Sequence, residues 1–184
     1  MATQQKHRIL ITTGIADTFF SETSPRKLEY GFELKDKIEK MVSYTGTKVY
    51  SNFISLNTQF DSNKIVNVFK HLPSSKVLTC NLNEYSITHS WNIFKTTETD
   101  NLTSVLVNGS DFDFIFPPEE YEVHLCGVDL NGFYKDIIGE LLSLKYKVYL
   151  YSDLMKRFKN TEVAITNIKD KNFEYCSHRS VKLR

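Results

Sequence analysis

Few residues in this chain combine into a set that could do chemistry. By residue type, Cys126, His89 and Asp17 supply a nucleophile, a base and a carboxylate to orient it, which is what thiol-based acyl transfer needs. Their settings argue against that use. Cys126 lies between Leu125 and Gly127 inside the apolar run Val123–Val128, and a buried Cys behaves as a small hydrophobe. His89 reads as a polar loop or strand residue, and Asp17 as a solvated loop carboxylate or a helix cap. Asp129 is better placed, because it is the charged residue at the carboxyl end of that run. Asp129 and Asn131 are the candidate ligand contacts. As a turn or capping residue for the helix that follows, Asp129 needs no ligand at all, and this is the preferred reading.

Other chemistries find less support. The five histidines, His7, His71, His89, His124 and His178, never pair at metal-ligand spacing, so no metal is expected. Neither G-x-x-x-x-G-K-[ST] nor G-x-G-x-x-G occurs, so no phosphate loop is encoded in recognisable form and no cofactor is expected.

The elements that must position these residues are clearest over Tyr121–Asp153. Val123, Leu125, Cys126 and Val128 form a strand-like run, and Gly127 and Asp129–Gly132 punctuate it. Phe133, Ile137, Ile138, Leu141, Leu142 and Leu144 then recur at helical spacing, and Lys147–Tyr151 is β-prone. This is a βαβ unit, which builds a parallel sheet with a right-handed crossover. Sites in open α/β sheets lie beyond the carboxyl ends of the strands, which puts Asp129–Phe133 where chemistry belongs.

Around that unit the pattern predicts strands at Arg8–Thr13, Lys48–Ser55, Lys76–Cys80 and Asp111–Phe116, with Tyr85–Phe94 β-like and Thr161–Ile168 a last strand. It predicts helices from Ser24-Pro25 to about Ser43, over Asn63–His71 and Thr99–Leu106, and over Ser152–Lys159. Tyr44–Thr47 reads as a turn, and Lys169–Arg184 as a loosely held basic tail. Alternating strands and helices in 184 residues imply one α/β domain over residues 1–184, a three-layer sandwich around a mostly parallel sheet.

The segment CGVDLNGFYKDI (Cys126–Ile137) resembles the G-V-x-T-x-x-C-V stretch of the isochorismatase-like cysteine hydrolases, which include nicotinamidases, N-carbamoyl amidases and isochorismatases. ILITTGIADTFF (Ile9–Phe20), Tyr50–Phe53 and ITHSWNIF (Ile87–Phe94) resemble other segments of that family, and the resemblance runs from about Arg8 to Ile168. It implies the isochorismatase-like (Rossmann-like) fold. It also implies three catalytic positions: an Asp base, a Lys cation and a Cys nucleophile. Those positions fall here on Gly14, Thr88 and Phe133, with Thr13 and His89 beside the first two. A phenyl ring cannot use the helix dipole that activates a thiolate. The resemblance therefore implies a catalytically inactive relative that acts by binding. The alternative is an active amidohydrolase working through the displaced Asp17, His89 and Cys126. Some family amidases hold a metal after strand two, where Ser55–Asn63 offers Asn57 and Asp61 but no His. The family's tendency to form dimers and tetramers implies a homo-oligomer or a protein partner, with Tyr44, Tyr50, Phe53, Phe60, Trp91 and Phe94 as candidate interface aromatics. A small molecule in a remodelled pocket is the remaining kind of partner.

Composition narrows the classes further. A net charge of +1, from 23 basic and 22 acidic residues, gives no drive toward nucleic acid or an anionic membrane. No apolar run approaches the roughly 20 residues of a spanning helix, and the N-terminus does not read as a signal peptide. Three dispersed cysteines suit reduced thiols, so a cytoplasmic setting is expected and the sequons at Asn101 and Asn108 are read as chance matches. Abundant Asn, Lys, Ile, Tyr and Phe fit an AT-rich coding sequence, as in a bacteriophage or a low-GC bacterium.

Overall fold

In the computed structural model, the described residues are 5–14, 31–58, 69, 72, 77–82, 91–96, 102–107, 112–129, 133–157 and 165–181. They form an eight-stranded sheet: β1 (His7–Thr13), β2 (Asn52–Thr58), β3 (Val77–Leu82), β4 (Trp91–Thr96), β5 (Leu102–Val107), β6 (Tyr121–Asp129), β7 (Lys147–Arg157) and β8 (Phe173–Cys176). The order across the sheet is β5-β4-β3-β2-β1-β6-β7-β8. Every pairing from β3 to β8 is parallel, and β4 and β5 add an antiparallel edge. Helices α1 (Gly31–Val49), α2 (Phe112–Ile115) and α3 (Phe133–Ser143) complete the layers.

The alternation of β1 and β6 explains why both faces are covered. Ile9, Ile11, Val123 and Leu125 point to one face, where Ile137, Ile138 and Leu141 of α3 bury against them. Leu10, Cys126 and Val128 point to the other, under Leu34, Ile38, Met41 and Val42 of α1. The expected βαβ unit is present, with β6 and α3 close to the boundaries that the residue pattern sets and β7 starting at Lys147 as expected but running six residues past Tyr151.

Several local expectations give way to tertiary contacts. Asp111–Phe116 alternates like a strand but forms the helical turn α2. Phe112 and Phe116, four residues apart, are both buried with ring centroids 5.4 Å apart, and helical spacing joins them as period two would not. Tyr44–Thr47 is not a turn. The apolar stripe of α1 continues to Val49, so the helix runs through, and the strand expected from Lys48 begins at Asn52. Of the helix expected over Thr99–Leu106, the described part is strand: Leu102–Val107 pairs with β4, and its β-branched Thr103, Val105 and Val107 suit that. Of the helix expected over Ser152–Lys159, Ser152–Arg157 is instead strand, since β7 continues to Arg157 beside Gly127–Asp129. Of Thr161–Ile168, Ile165–Asn167 is a 3-10 turn that buries Ile165 in the core. The segment read as a loose tail supplies β8, paired with Val148–Tyr151, and a 3-10 turn at His178–Ser180. The predicted helix at Asn63–His71 except Phe69, most of Tyr85–Phe94 and the helix start at Ser24-Pro25 lie outside the described residues.

Candidate functional site

The carboxyl ends of β1 and β6 meet in unusually close contact. Gly127, paired with Thr13, has φ 119°, and a Cβ there would sit 2.3 Å from the Thr13 carbonyl oxygen. Only glycine permits this approach. Gly14, the residue after β1, has φ 58°, and its N–H donates to the Leu56 carbonyl of β2 at 3.2 Å. Above this contact, Thr13 Oγ1 lies 3.0 Å from the Val128 carbonyl and 2.6 Å from the Tyr134 hydroxyl. A carbonyl only accepts, so the Thr13 proton goes to Val128 and the Tyr134 proton to Thr13. Asp129 is fully buried, and its Oδ1 accepts the Tyr134 backbone N–H at 3.1 Å. It caps the first turn of α3, in line with the capping expectation.

These groups do not make a nucleophilic centre. Burial pushes the Tyr134 phenol well above its ordinary range, so it stays neutral. Phe133 is the first residue of α3. Cys126 projects to the α1 face with no solvent exposure, and burial raises its thiol pKa far beyond any activated range. Asp17, Thr88, His89 and Asn131 lie outside the described residues, so no described contact brings Cys126, His89 and Asp17 together.

A second polar arrangement lies on the α1 face. Arg8 Nε donates to Glu122 Oε1 at 2.8 Å, and His124 Nε2 is 3.2 Å from the same oxygen. His124 Nδ1 lies 2.7 Å from the Tyr151 hydroxyl, which is 2.7 Å from that of Tyr50. Tyr149 stacks on the His124 ring at 4.6 Å between centroids. The desolvated His124 has its pKa lowered by burial, against the pull of Glu122, and so is held neutral. Burial acts to raise the Glu122 pKa, but its bonds to His124 and Arg8 outweigh that and lower it. The signal in the sequence was Glu122–His124, two polar residues at the same parity of an apolar strand. The partners at positions 8, 50 and 151 come from three other segments.

No protein-family model and no curated protein matches the sequence. Solved structures do match. A nicotinamidase from Staphylococcus aureus superposes with a TM-score of 0.58 over 85% of this chain and 88% of its own, at 12% identity. A cysteine hydrolase from Pseudomonas syringae pv. phaseolicola gives 0.62 over 93% and 88%, at 14% identity. A pyrazinamidase from Pyrococcus horikoshii, solved in complex with zinc, gives 0.60 over 93% and 99%, at 13% identity. This chain has the isochorismatase-like hydrolase fold. At these identities the likeness is one of fold. Within that fold, Gly14 follows the last residue of β1 and Phe133 begins α3, both at the carboxyl end of the sheet. Among the described residues no group of three His, Cys, Asp or Glu could hold a metal, and Ser55–Asn63 contains no His. No described helix is long and apolar enough to cross a membrane.

Proposed function

We propose that this isochorismatase-like protein does not hydrolyse amides and acts by binding, through a second copy of itself, a protein partner or a small ligand. One observation carries the reading. A phenylalanine, Phe133, begins the helix that follows the central strand β6, the place the family resemblance gives to the nucleophile. The nearest thiol in sequence, Cys126, is sealed against the opposite helix layer. Gly14, at the position of the base, carries no side chain to take a proton. Loss of one member of a catalytic unit typically removes most of the rate enhancement that the whole unit provides.

Asp129 and Asn131 are proposed as contacts for a ligand at this end of the sheet, with Asp129 also holding α3 in place. Among the aromatics considered for an interface, Tyr50 and Phe53 are core residues. Tyr44 is 82% exposed and Phe32 49% exposed, both on α1, and these support a protein-facing role for that helix.

The test is an assay of nicotinamide, N-carbamoyl amino acids and isochorismate with purified protein, alongside sedimentation at micromolar concentration. We expect no turnover above background and a concentration-dependent assembly. Turnover that disappears in Cys126→Ser would overturn the reading and point to hydrolysis through displaced residues.

A further inference from the structure

The parallel ladder between β6 and β7 breaks in the middle. Leu125 pairs with Leu150, yet Gly127, two residues on, pairs with Met155, five residues on. Three extra β7 residues are thus accommodated opposite Cys126. Irregularities of this kind re-aim side chains. Here Leu154 turns into the α1 core while Asp153 reaches outward. Its Oδ1 accepts the His178 backbone N–H at 2.9 Å, and its Oδ2 accepts from Ser177 Oγ at 2.8 Å and from His178 Nδ1 at 2.6 Å. Burial alone would raise the Asp153 pKa, but these bonds outweigh it and lower it. An ionised, fully engaged carboxylate therefore straps the turn after β8 against the sheet.

The strap closes a groove against α1. Its volume is about 520 Å³, and its charged lining is Lys37 and Lys40 from the helix, Arg179 from the turn, and the Asp153–His178 pair. A second cleft of about 290 Å³ shares Met41, His178 and Arg179 with it and reaches Tyr50 and Tyr151. Three basic side chains share the groove lining with one carboxylate whose oxygens are already used. Lys37, Lys40 and Arg179 make no side-chain ion pair with any described residue. In a chain of net charge +1 this is a local excess of positive charge, and a concave wall focuses its field. Deeper in, the Tyr151 proton is committed to His124 and the Tyr50 proton to Tyr151. Apart from His178 and Arg179, shared with the groove, the inner cleft is lined by Met41, Val49, Val181 and the two buried tyrosines, whose hydroxyls are already engaged.

We infer that this groove is a binding site for a small organic anion, a phosphate or carboxylate carried on an aromatic or alkyl body. The anionic group meets Lys37, Lys40 and Arg179, and the apolar body enters toward Tyr50 and Tyr151. The volume falls within the usual range of small-molecule sites, about 300–1,000 Å³. A nucleic acid would ask for a longer basic track than three side chains. This site is on the α1 face, its described lining includes neither Gly14 nor Phe133, and it stands whether or not the protein hydrolyses anything.

Calorimetric titration of the full chain, in low-salt buffer without phosphate, tests it. The probes are phenyl phosphate, inorganic phosphate and phenol. Phenyl phosphate is expected to bind at one saturable site, with phosphate weaker by about tenfold and phenol undetected. Lys40→Glu and Arg179→Glu each weaken phenyl phosphate by about tenfold or more, the worth of one hydrogen bond to a charged group. Both side chains are exposed, so the variants should keep the parent's melting temperature and circular dichroism. Lys40→Gln should fall between wild type and Lys40→Glu. No saturable binding below about 10 mM, a free energy of under about 3 kcal/mol, would overturn the site. So would affinities that both charge reversals leave unchanged. Equal affinity for phosphate and phenyl phosphate would overturn the apolar half of the assignment.

Discussion

Replacing Tyr151 with Phe removes one oxygen from the buried chain on the α1 face, and the consequences can be followed bond by bond. Glu122 is a carboxylate and only accepts, so His124 Nε2 carries the ring proton and Nδ1 is the acceptor. Tyr151 therefore donates to Nδ1, and its oxygen accepts from Tyr50. Without that oxygen, His124 Nδ1 becomes a buried acceptor with no donor, a loss of about 1–3 kcal/mol. The Tyr50 hydroxyl loses its acceptor for about 1 kcal/mol more, so Tyr151→Phe should destabilise by about 2–4 kcal/mol. Tyr50→Phe removes only the end of the chain and should cost about 1 kcal/mol, because Tyr151 keeps its bond to His124. In the double variant the Tyr50 bond is already gone. The pair should then cost no more than Tyr151→Phe alone, a coupling of about 1 kcal/mol. Urea unfolding followed by circular dichroism measures all three, with unchanged slopes confirming that the same surface unfolds. The reasoning fails if Tyr151→Phe costs less than about 1 kcal/mol, or if the single effects add to within about 0.3 kcal/mol.

Gly127→Ala should cost about 3 kcal/mol or more, read from thermal unfolding, since a Cβ would strike the Thr13 backbone at a positive φ. Gly139→Ala, in exposed helix with nothing within 4 Å of the new Cβ, should instead stabilise by about 0.5–1 kcal/mol. Stability should fall as pH drops below 6.5, the ordinary value for His124. The unfolded chain then takes up a proton that the folded one refuses, so the contribution of the neutral ring is present above that pH and lost below it. Glu122 and Asp153, both held low when folded, continue the loss at lower pH as they protonate, and a urea midpoint equal at pH 7.5 and pH 5 would contradict this. Among the described cysteines, a thiol reagent should label Cys176 in the native protein and Cys126 only on unfolding, which peptide mapping distinguishes.

The sequence by itself determined the elements whose evidence is local. Val123, Leu125, Cys126 and Val128, the glycine between them and the helical spacing from Phe133 to Leu144 were enough for the βαβ unit, the parallel sheet and the capping role of Asp129. The family resemblance drew on the same dozen residues, including the phenylalanine that opens α3. Tertiary structure decided what local pattern leaves degenerate. Phe112, Phe114 and Phe116 satisfy a strand period, and Phe112 and Phe116 a helical spacing as well; burial of that pair selected the helix. Ser152–Arg157 could continue as strand or coil into a helix, and β6 settled it by offering Gly127–Asp129 as pairing partners beyond a three-residue irregularity. Lys169–Arg184 looked like a solvated tail because its residues are polar, yet the open edge of β7 and the carboxylate of Asp153 bind it to the sheet. The same holds for the chain from Arg8 to Tyr50 and for the basic groove. Their members lie up to 143 positions apart in a sequence of 184, between Arg8 and Tyr151. Hydrogen bonds and charge fields act over a few ångströms of space, and only the folded chain sets those distances.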